Sequence, residues 1–211
     1  VPPFEVSVFA DPSGAFTTAA GMVAVTEKYL NNKFSQKLDK SNVVILGGTG
    51  PVGVASAVIC AKAGANVTLV GRSLEKAEKI AGICNDRYDS KNVKGGADAD
   101  KSDFFNIADI VLNTGAAGIQ LMSEEHIKNS STLKICADTN AVPPSGIAGV
   151  DVMDNGKVID MSPSKCLGIG ALAIGNIKYK SQHECLKLMY TSEKPVYLDF
   201  EDAFKFAQKS I

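Results

Sequence analysis

Six residues, Gly48-Thr49-Gly50-Pro51-Val52-Gly53, constrain this chain more than any other stretch. They follow directly on Val43-Val44-Ile45-Leu46, an apolar and mostly β-branched run with the pattern of a strand buried on both faces. A helix is expected next, from about Val52 to Ala63, stopping at Gly64. Glycine triplets alone also occur in ordinary turns. Set between a buried strand and a helix, this one fits the turn that cradles a dinucleotide. Gly48 then permits the tight turn, Gly50 lets the backbone approach a pyrophosphate, and Gly53 lets helix and strand pack closely. Free N–H groups at the helix start, around Pro51 and Val52, face the phosphates, and Thr49 lies between the first two glycines. All six residues are assigned to cofactor binding.

The end of the following strand, Asn66 to Val70, chooses the cofactor. An NAD-binding chain usually places Asp or Glu there to hold the ribose hydroxyls. Here the residues are Gly71-Arg72-Ser73, with no carboxylate. Arg72 is suited to a paired, charge-assisted contact with a 2′-phosphate, Ser73 adds a hydroxyl, and Lys76 adds a second cation about one helical turn on. The expected cofactor is therefore NADP. Two later strands, Asp109 to Asn113 and Leu133 to Ala137, end on small and polar residues. Ligands of open α/β sheets sit outside the carboxyl ends of strands, so Thr114, Gly115 and Asn140 join the cofactor set.

Strand and helix signals alternate through most of the chain, which points to an α/β Rossmann-type parallel sheet with helices on both faces. Glu5 to Ala10 reads as a strand, Thr17 to Asn32 as a helix with Thr17 or Thr18 near its N-cap, and 31–42 as a linker. The charged, glycine-bearing stretch 86–102 reads as a loop, and Gly168 to Tyr190 as a long helix. With 23 acidic against 22 basic residues, no global field attracts nucleic acid or an anionic membrane. No apolar run reaches the roughly 18 residues of a membrane helix. Val1-Pro2-Pro3-Phe4 lacks the basic region of a secretory signal. The five cysteines show no metal or redox spacing, so all are expected to be reduced and structural, in a cytoplasmic protein without a metal. His126 and His183 have no partner motif and are expected at the surface.

With those residues placed, the sequence resembles the NADP-dependent methylene-tetrahydromethanopterin dehydrogenases of methylotrophic bacteria. The resemblance rests on Asp11, Gly14 and Thr17-Thr18-Ala19-Ala20, the glycine turn, Gly71-Arg72 and Ala137-Asp138. It continues in Asn140, Pro143-Pro144, Gly146-Ile147, Gly149, and Leu167-Gly168-Ile169-Gly170 leading to Lys178. It implies a pterin-binding domain beside an NADP domain, with the reaction in the cleft between them. Residues 1–34 would then be a remnant of the pterin domain with a connecting helix, 35–175 the NADP domain, and 176–211 C-terminal helices returning to the pterin domain.

Thr18, Lys178 and Ser13 would lie on the pterin side, with Lys178 in the catalytic position. The family's leading segment would lie outside this sequence, so the chain by itself is expected to bind NADP and turn over poorly. Ala15-Phe16 departs from the more polar pair expected before the threonines. A homo-oligomer is also expected.

The implied reaction takes a hydride from the methylene group of the reduced pterin to NADP⁺, leaving a methenyl cation stabilised by two adjacent nitrogens. No proton moves at the reacting carbon, so no base is required. Catalysis rests on holding the carbon in place, worth about 7–11 kcal/mol in favourable cases. Lys178 would position the pterin ring. The carrier is tetrahydromethanopterin or tetrahydrofolate. A methylene-tetrahydrofolate dehydrogenase, a shikimate-dehydrogenase-like enzyme and a non-catalytic NADP-binding sensor are the alternatives.

Overall fold

The computed structural model describes residues 4–211, so the reading of Val1-Pro2-Pro3 lies outside it. β1 (Val8–Phe9) leads through a 3-10 turn (Pro12–Gly14) into α1 (Ala15–Phe34). Strand and helix then alternate: β2 (Asn42–Leu46), α2 (Pro51–Lys62), β3 (Asn66–Gly71), α3 (Leu74–Tyr88) and β4 (Val93–Ala97). A second half adds α4 (Lys101–Ile107), β5 (Ile110–Asn113), α5 (Glu124–Asn129), β6 (Ile135–Asp138), β7 (Asn155–Val158) and β8 (Leu167–Ile169). The last described elements are α6 (Ala171–Thr191), β9 (Tyr197–Leu198) and α7 (Phe200–Lys209).

Seven strands form one sheet in the order β4-β3-β2-β5-β6-β8-β7, parallel except for β7 at one edge. β1 and β9 make a separate parallel pair. The chain moves outward from β2 to β3 and β4, then crosses back to β5. The carboxyl ends of β2 and β5 therefore flank the point where strand order reverses, the place where such sheets bind ligands.

Period-two alternation builds the two faces of the sheet. Val43 and Ile45 of β2, Leu69 of β3, Ile110 and Leu112 of β5, and Ile135 and Ala137 of β6 share one core with α1, α2, α6 and α7. Val44, Leu46, Val70, Val111 and Cys136 point the other way and pack with Phe105, Met122, Ile127 and Ile147. This two-sided burial is why the strands read as unbroken apolar runs.

Several expectations are corrected. α1 starts before the threonines: Gly14 is its N-cap, and the Asp11 carboxylate accepts from the backbone N–H groups of Phe16 and Thr17 at 2.9 and 3.1 Å and from Thr17 Oγ1 at 2.7 Å. The polar stretch 31–42 is only partly a linker, because α1 runs on to Phe34 and Leu38 is buried in the core. The first strand spans just two residues. Gly168 is not helical: it lies in β8, and the long helix starts only after Gly170.

The stretch 86–102 is not a loop either. It holds the end of α3, strand β4, a 3-10 turn at Asp98–Asp100 and the start of α4. Its glycines look like turn residues but serve packing. A Cβ on Gly95 would collide with the backbone nitrogen of Glu78 in α3, and one on Gly96 would stand 2.5 Å from Phe104.

Candidate functional site

The glycine turn sits at the carboxyl end of β2, and its parts do different jobs from those the motif alone assigns. Gly47, one residue upstream, takes the left-handed conformation (φ 65°), and a Cβ there would meet the backbone of Gly115 at 2.6 Å. The tight turn is therefore made by Gly47, not Gly48. Gly48 and Gly53 are both buried and touch: a Cβ on Gly53 would stand 2.6 Å from Gly48 Cα, so the pair lets α2 lie against the turn. Gly50 is the N-cap of α2, and no side chain caps that helix. A Cβ on Gly50 would meet only the Gly47 carbonyl oxygen, at 3.6 Å, so open space lies in front of it. Pro51 occupies the first helical turn, where its missing N–H costs nothing, and Val52 packs partly against the core.

A cleft of about 410 Å³ opens at this turn. Of the expected cofactor residues it is lined by Thr49, Gly50, Arg72, Thr114 and Gly115, together with Gly47, Asp98, Ile119 and Leu121, which sequence reasoning missed. Arg72 is exposed and makes no salt bridge among the described residues. Ser73 is exposed and caps α3, its hydroxyl accepting from Lys76 N at 3.3 Å. Lys76 is exposed on the first turn of that helix, outside the cleft lining.

Asn140 does not line the cleft. It is buried and ties two loops together: its side-chain oxygen accepts from Gly118 N (3.2 Å) and Val142 N (2.9 Å), and its amide donates to the Pro144 carbonyl (2.8 Å). Beside it Asn113 Nδ2 donates to Asp138 Oδ1 at 2.7 Å, and Asn113 Oδ1 accepts from Gly115 N at 3.1 Å. Asp138 also accepts from Asn140 N and Ile147 N. This buried network holds the segment after β5, the far wall of the cleft. Thr114 adds a bond of its own, its hydroxyl donating to Leu46 O at 2.9 Å.

The three residues expected on the pterin side lie outside the cleft lining, at the start of α1 and along α6. Thr18 Oγ1 donates to Gly14 O at 2.6 Å, and a Cβ on Gly14 would stand 2.7 Å from Lys178 Nζ. Thr18, Gly14 and Lys178 are thus brought together across α1 and α6. Lys178 is half-buried and has no salt bridge among the described residues. Ser13 is exposed and left-handed (φ 53°), which aims the turn into α1.

The cysteines and the two histidines lie outside the cleft lining. All five cysteines are free and buried. Burial pushes the thiols of Cys60 and Cys185 up to about 12, with Glu27 adding to the first and Asp202 to the second. His183 is exposed and stacks on Tyr179, whereas His126 is half-buried, against expectation. His126 Nδ1 accepts from Ser123 N at 3.1 Å, closing a capping box on α5. Its other ring nitrogen faces Ser102 Oγ at 3.2 Å. Burial first, then the charge of Lys101, lowers its pKa, which favours the neutral ring whose Nδ1 can accept.

No protein-family model matches the sequence. The chain is 41% identical over 210 residues to an NAD(P)-dependent methylenetetrahydromethanopterin dehydrogenase of Methylorubrum extorquens, covering 98% of this chain and 70% of the relative. It belongs to that family of dehydrogenases. The bifunctional protein MdtA of the same organism is 37% identical over 98% of this chain and 69% of its own length. Among solved structures, quinate dehydrogenase from Corynebacterium glutamicum in complex with NAD matches all of this chain and 76% of its own, with a TM-score of 0.58 and 16% identity. L-alanine dehydrogenase matches 85% of this chain and 55% of its own, with a TM-score of 0.57 and 16% identity. These two likenesses show the Rossmann-type fold.

Proposed function

We propose that the protein oxidises the methylene group of methylene-tetrahydromethanopterin to the methenyl form with NADP⁺. The observation that carries the reading is the identity of 41%, spread over 98% of the chain, with a dehydrogenase named for that pterin. The site's chemistry supports it. NADP⁺, when bound, supplies the hydride acceptor. Gly50 and the uncapped start of α2 leave room and N–H donors for a pyrophosphate. β3 ends without a carboxylate, and Arg72 is free for a 2′-phosphate, with Ser73 and Lys76 beside it.

Lys178 positions the pterin ring, with Thr18 and Ser13 on the same side. Its half-buried, unpaired ammonium leaves three donors for carbonyl groups of a heterocycle. Hydride loss at a carbon between two nitrogens needs no base, and His126 is committed to its capping bonds. The buried Asn113–Asp138–Asn140 network keeps the cleft wall in place. The division into a pterin-side segment (1–34), an NADP domain (35–175) and returning helices (176–211) belongs to the same reading. Five unpaired cysteines support a cytoplasmic location. No helix among the described residues is long and apolar enough to cross a membrane.

We also infer a homo-oligomer. Leu172, Asn176, Tyr179, His183, Leu186 and Tyr190 recur alternately four and three residues apart on α6, and all six are exposed. That spacing is a seam for another helix.

The test, run on the full-length protein, is NADPH absorbance with methylene-tetrahydromethanopterin and methylene-tetrahydrofolate, each with NADP⁺ and NAD⁺. Turnover is expected with the methanopterin carrier and NADP⁺. Turnover with the folate carrier alone reassigns the substrate. Binding of NADP without turnover on either carrier makes the protein a sensor.

A further inference from the structure

The cleft carries one charged residue that the cofactor reading does not use. Asp98 lines it at the end of β4, and β4 is the strand beside β3. The register pairs Gly71 with Ala97, so the next residues out, Arg72 and Asp98, stand at the tips of neighbouring strands. Parallel strands lie about 4.8 Å apart. A ligand leaving the glycine turn at β2 therefore passes Arg72 at β3 and reaches Asp98 at β4. Opposite charges in this position could simply pair, but they do not. Asp98 Oδ1 instead accepts from Lys101 Nζ at 3.1 Å, and Oδ2 has no hydrogen-bond partner among the described residues.

Resting on the NADP reading above, we propose that Asp98 is the adenine-recognition residue, its free carboxylate oxygen accepting a hydrogen bond from the exocyclic amino group of the base. The order of groups along the ligand fits the order of strands. Pyrophosphate lies at the start of α2, the ribose and its 2′-phosphate at Arg72, and the base one strand further on. An ionised carboxylate only accepts hydrogen bonds. Adenine presents a donor at its 6-position, whereas hypoxanthine and guanine present a carbonyl oxygen there. Asp98 rewards the first and repels the second. The ribose 2′ position is not available to it, since that position belongs to the end of β3. Lys101 explains how a carboxylate is tolerated near a 2′-phosphate, because the ion pair cancels its charge locally.

The experiment compares dissociation constants for NADP⁺ and its 6-oxo counterpart, nicotinamide hypoxanthine dinucleotide phosphate. The proteins compared are the wild type, Asp98→Asn and Arg72→Ala. The wild type is expected to bind the 6-oxo compound about tenfold or more weakly, the cost of a hydrogen bond to a charged group. Asp98→Asn brings that ratio close to one, because an amide offers either a donor or an acceptor. Arg72→Ala weakens both compounds together and leaves the ratio unchanged. Equal wild-type affinity for the two overturns the assignment while leaving the NADP reading intact, as does an unchanged ratio in Asp98→Asn. A wild type that binds neither dinucleotide overturns the NADP reading, and this assignment with it.

Discussion

In the proposed reading, Arg72 and Gly50 divide the work of cofactor recognition between charge and empty space. Arg72 has no carboxylate partner among the described residues, so its guanidinium is available to a ligand. A charge-assisted contact of that kind is worth about 1.5–3 kcal/mol. Arg72→Ala is therefore expected to weaken NADP about tenfold to a hundredfold and to leave NAD nearly unchanged, measured by fluorescence titration. Equal losses for both cofactors would refute the assignment. Gly50 works by absence. Its φ of −84° suits any residue and its Cβ site is open, so Gly50→Val costs the fold only a poorer cap, about 1 kcal/mol. The added side chain would fill the space the pyrophosphate takes. Loss of binding for NADP and NAD alike, with a melting temperature close to wild type, is the expected outcome; retained binding would reduce the turn to a structural role.

Between elements, the sequence was most legible where a strand is buried on both faces. β2, β3, β5 and β6 declare themselves because neither face meets water, and the glycine turn is readable from the strand before it and the helix after it. β4 was hidden for the opposite reason. It is an edge strand of five residues whose glycines make room for α3 and Phe104, so packing erased its apolar pattern. Asp98 was lost with it. The start of α1 was misread because a remote carboxylate, Asp11, does the capping that a local threonine was expected to do. Asn140 was expected in the cofactor set, but its bonds reach loops and it does not line the cleft. That network yields a prediction at this scale. Asp138→Ala removes the acceptor of Asn113 Nδ2, Asn140 N and Ile147 N. Each orphaned buried group costs about 1–3 kcal/mol. Denaturant unfolding should show a loss of several kcal/mol, and NADP binding should weaken in the part that remains folded, because the loop carrying Gly115 loses its tether. Unaltered stability would mean that the network is replaceable by water.

For the whole molecule, α6 is the element whose two faces disagree. Ile174, Ile177, Ser181 and Cys185 are buried against the rest of the chain, as an amphipathic helix requires. Yet the opposite side carries Leu172, Tyr179, Leu186 and Tyr190, each at least half exposed, with relative exposures of 53%, 69%, 53% and 91%. A helix apolar on both sides is expected to be covered on both. The spacing of these residues matches a coiled-coil seam, and Asn176 and His183 fall among them where polar residues fix register at some cost in stability. A second copy offers the same seam, and closed symmetric pairing of identical patches is the commonest way such faces are buried. Light scattering of the wild type should thus give a multiple of the chain mass. Tyr179→Glu combined with Leu186→Glu places charges in the seam, and the mass should fall to that of one chain while NADP affinity holds, since neither residue lines the cleft at the glycine turn. A wild type that already runs as a single chain would remove the oligomer and leave the exposed face of α6 to some other partner.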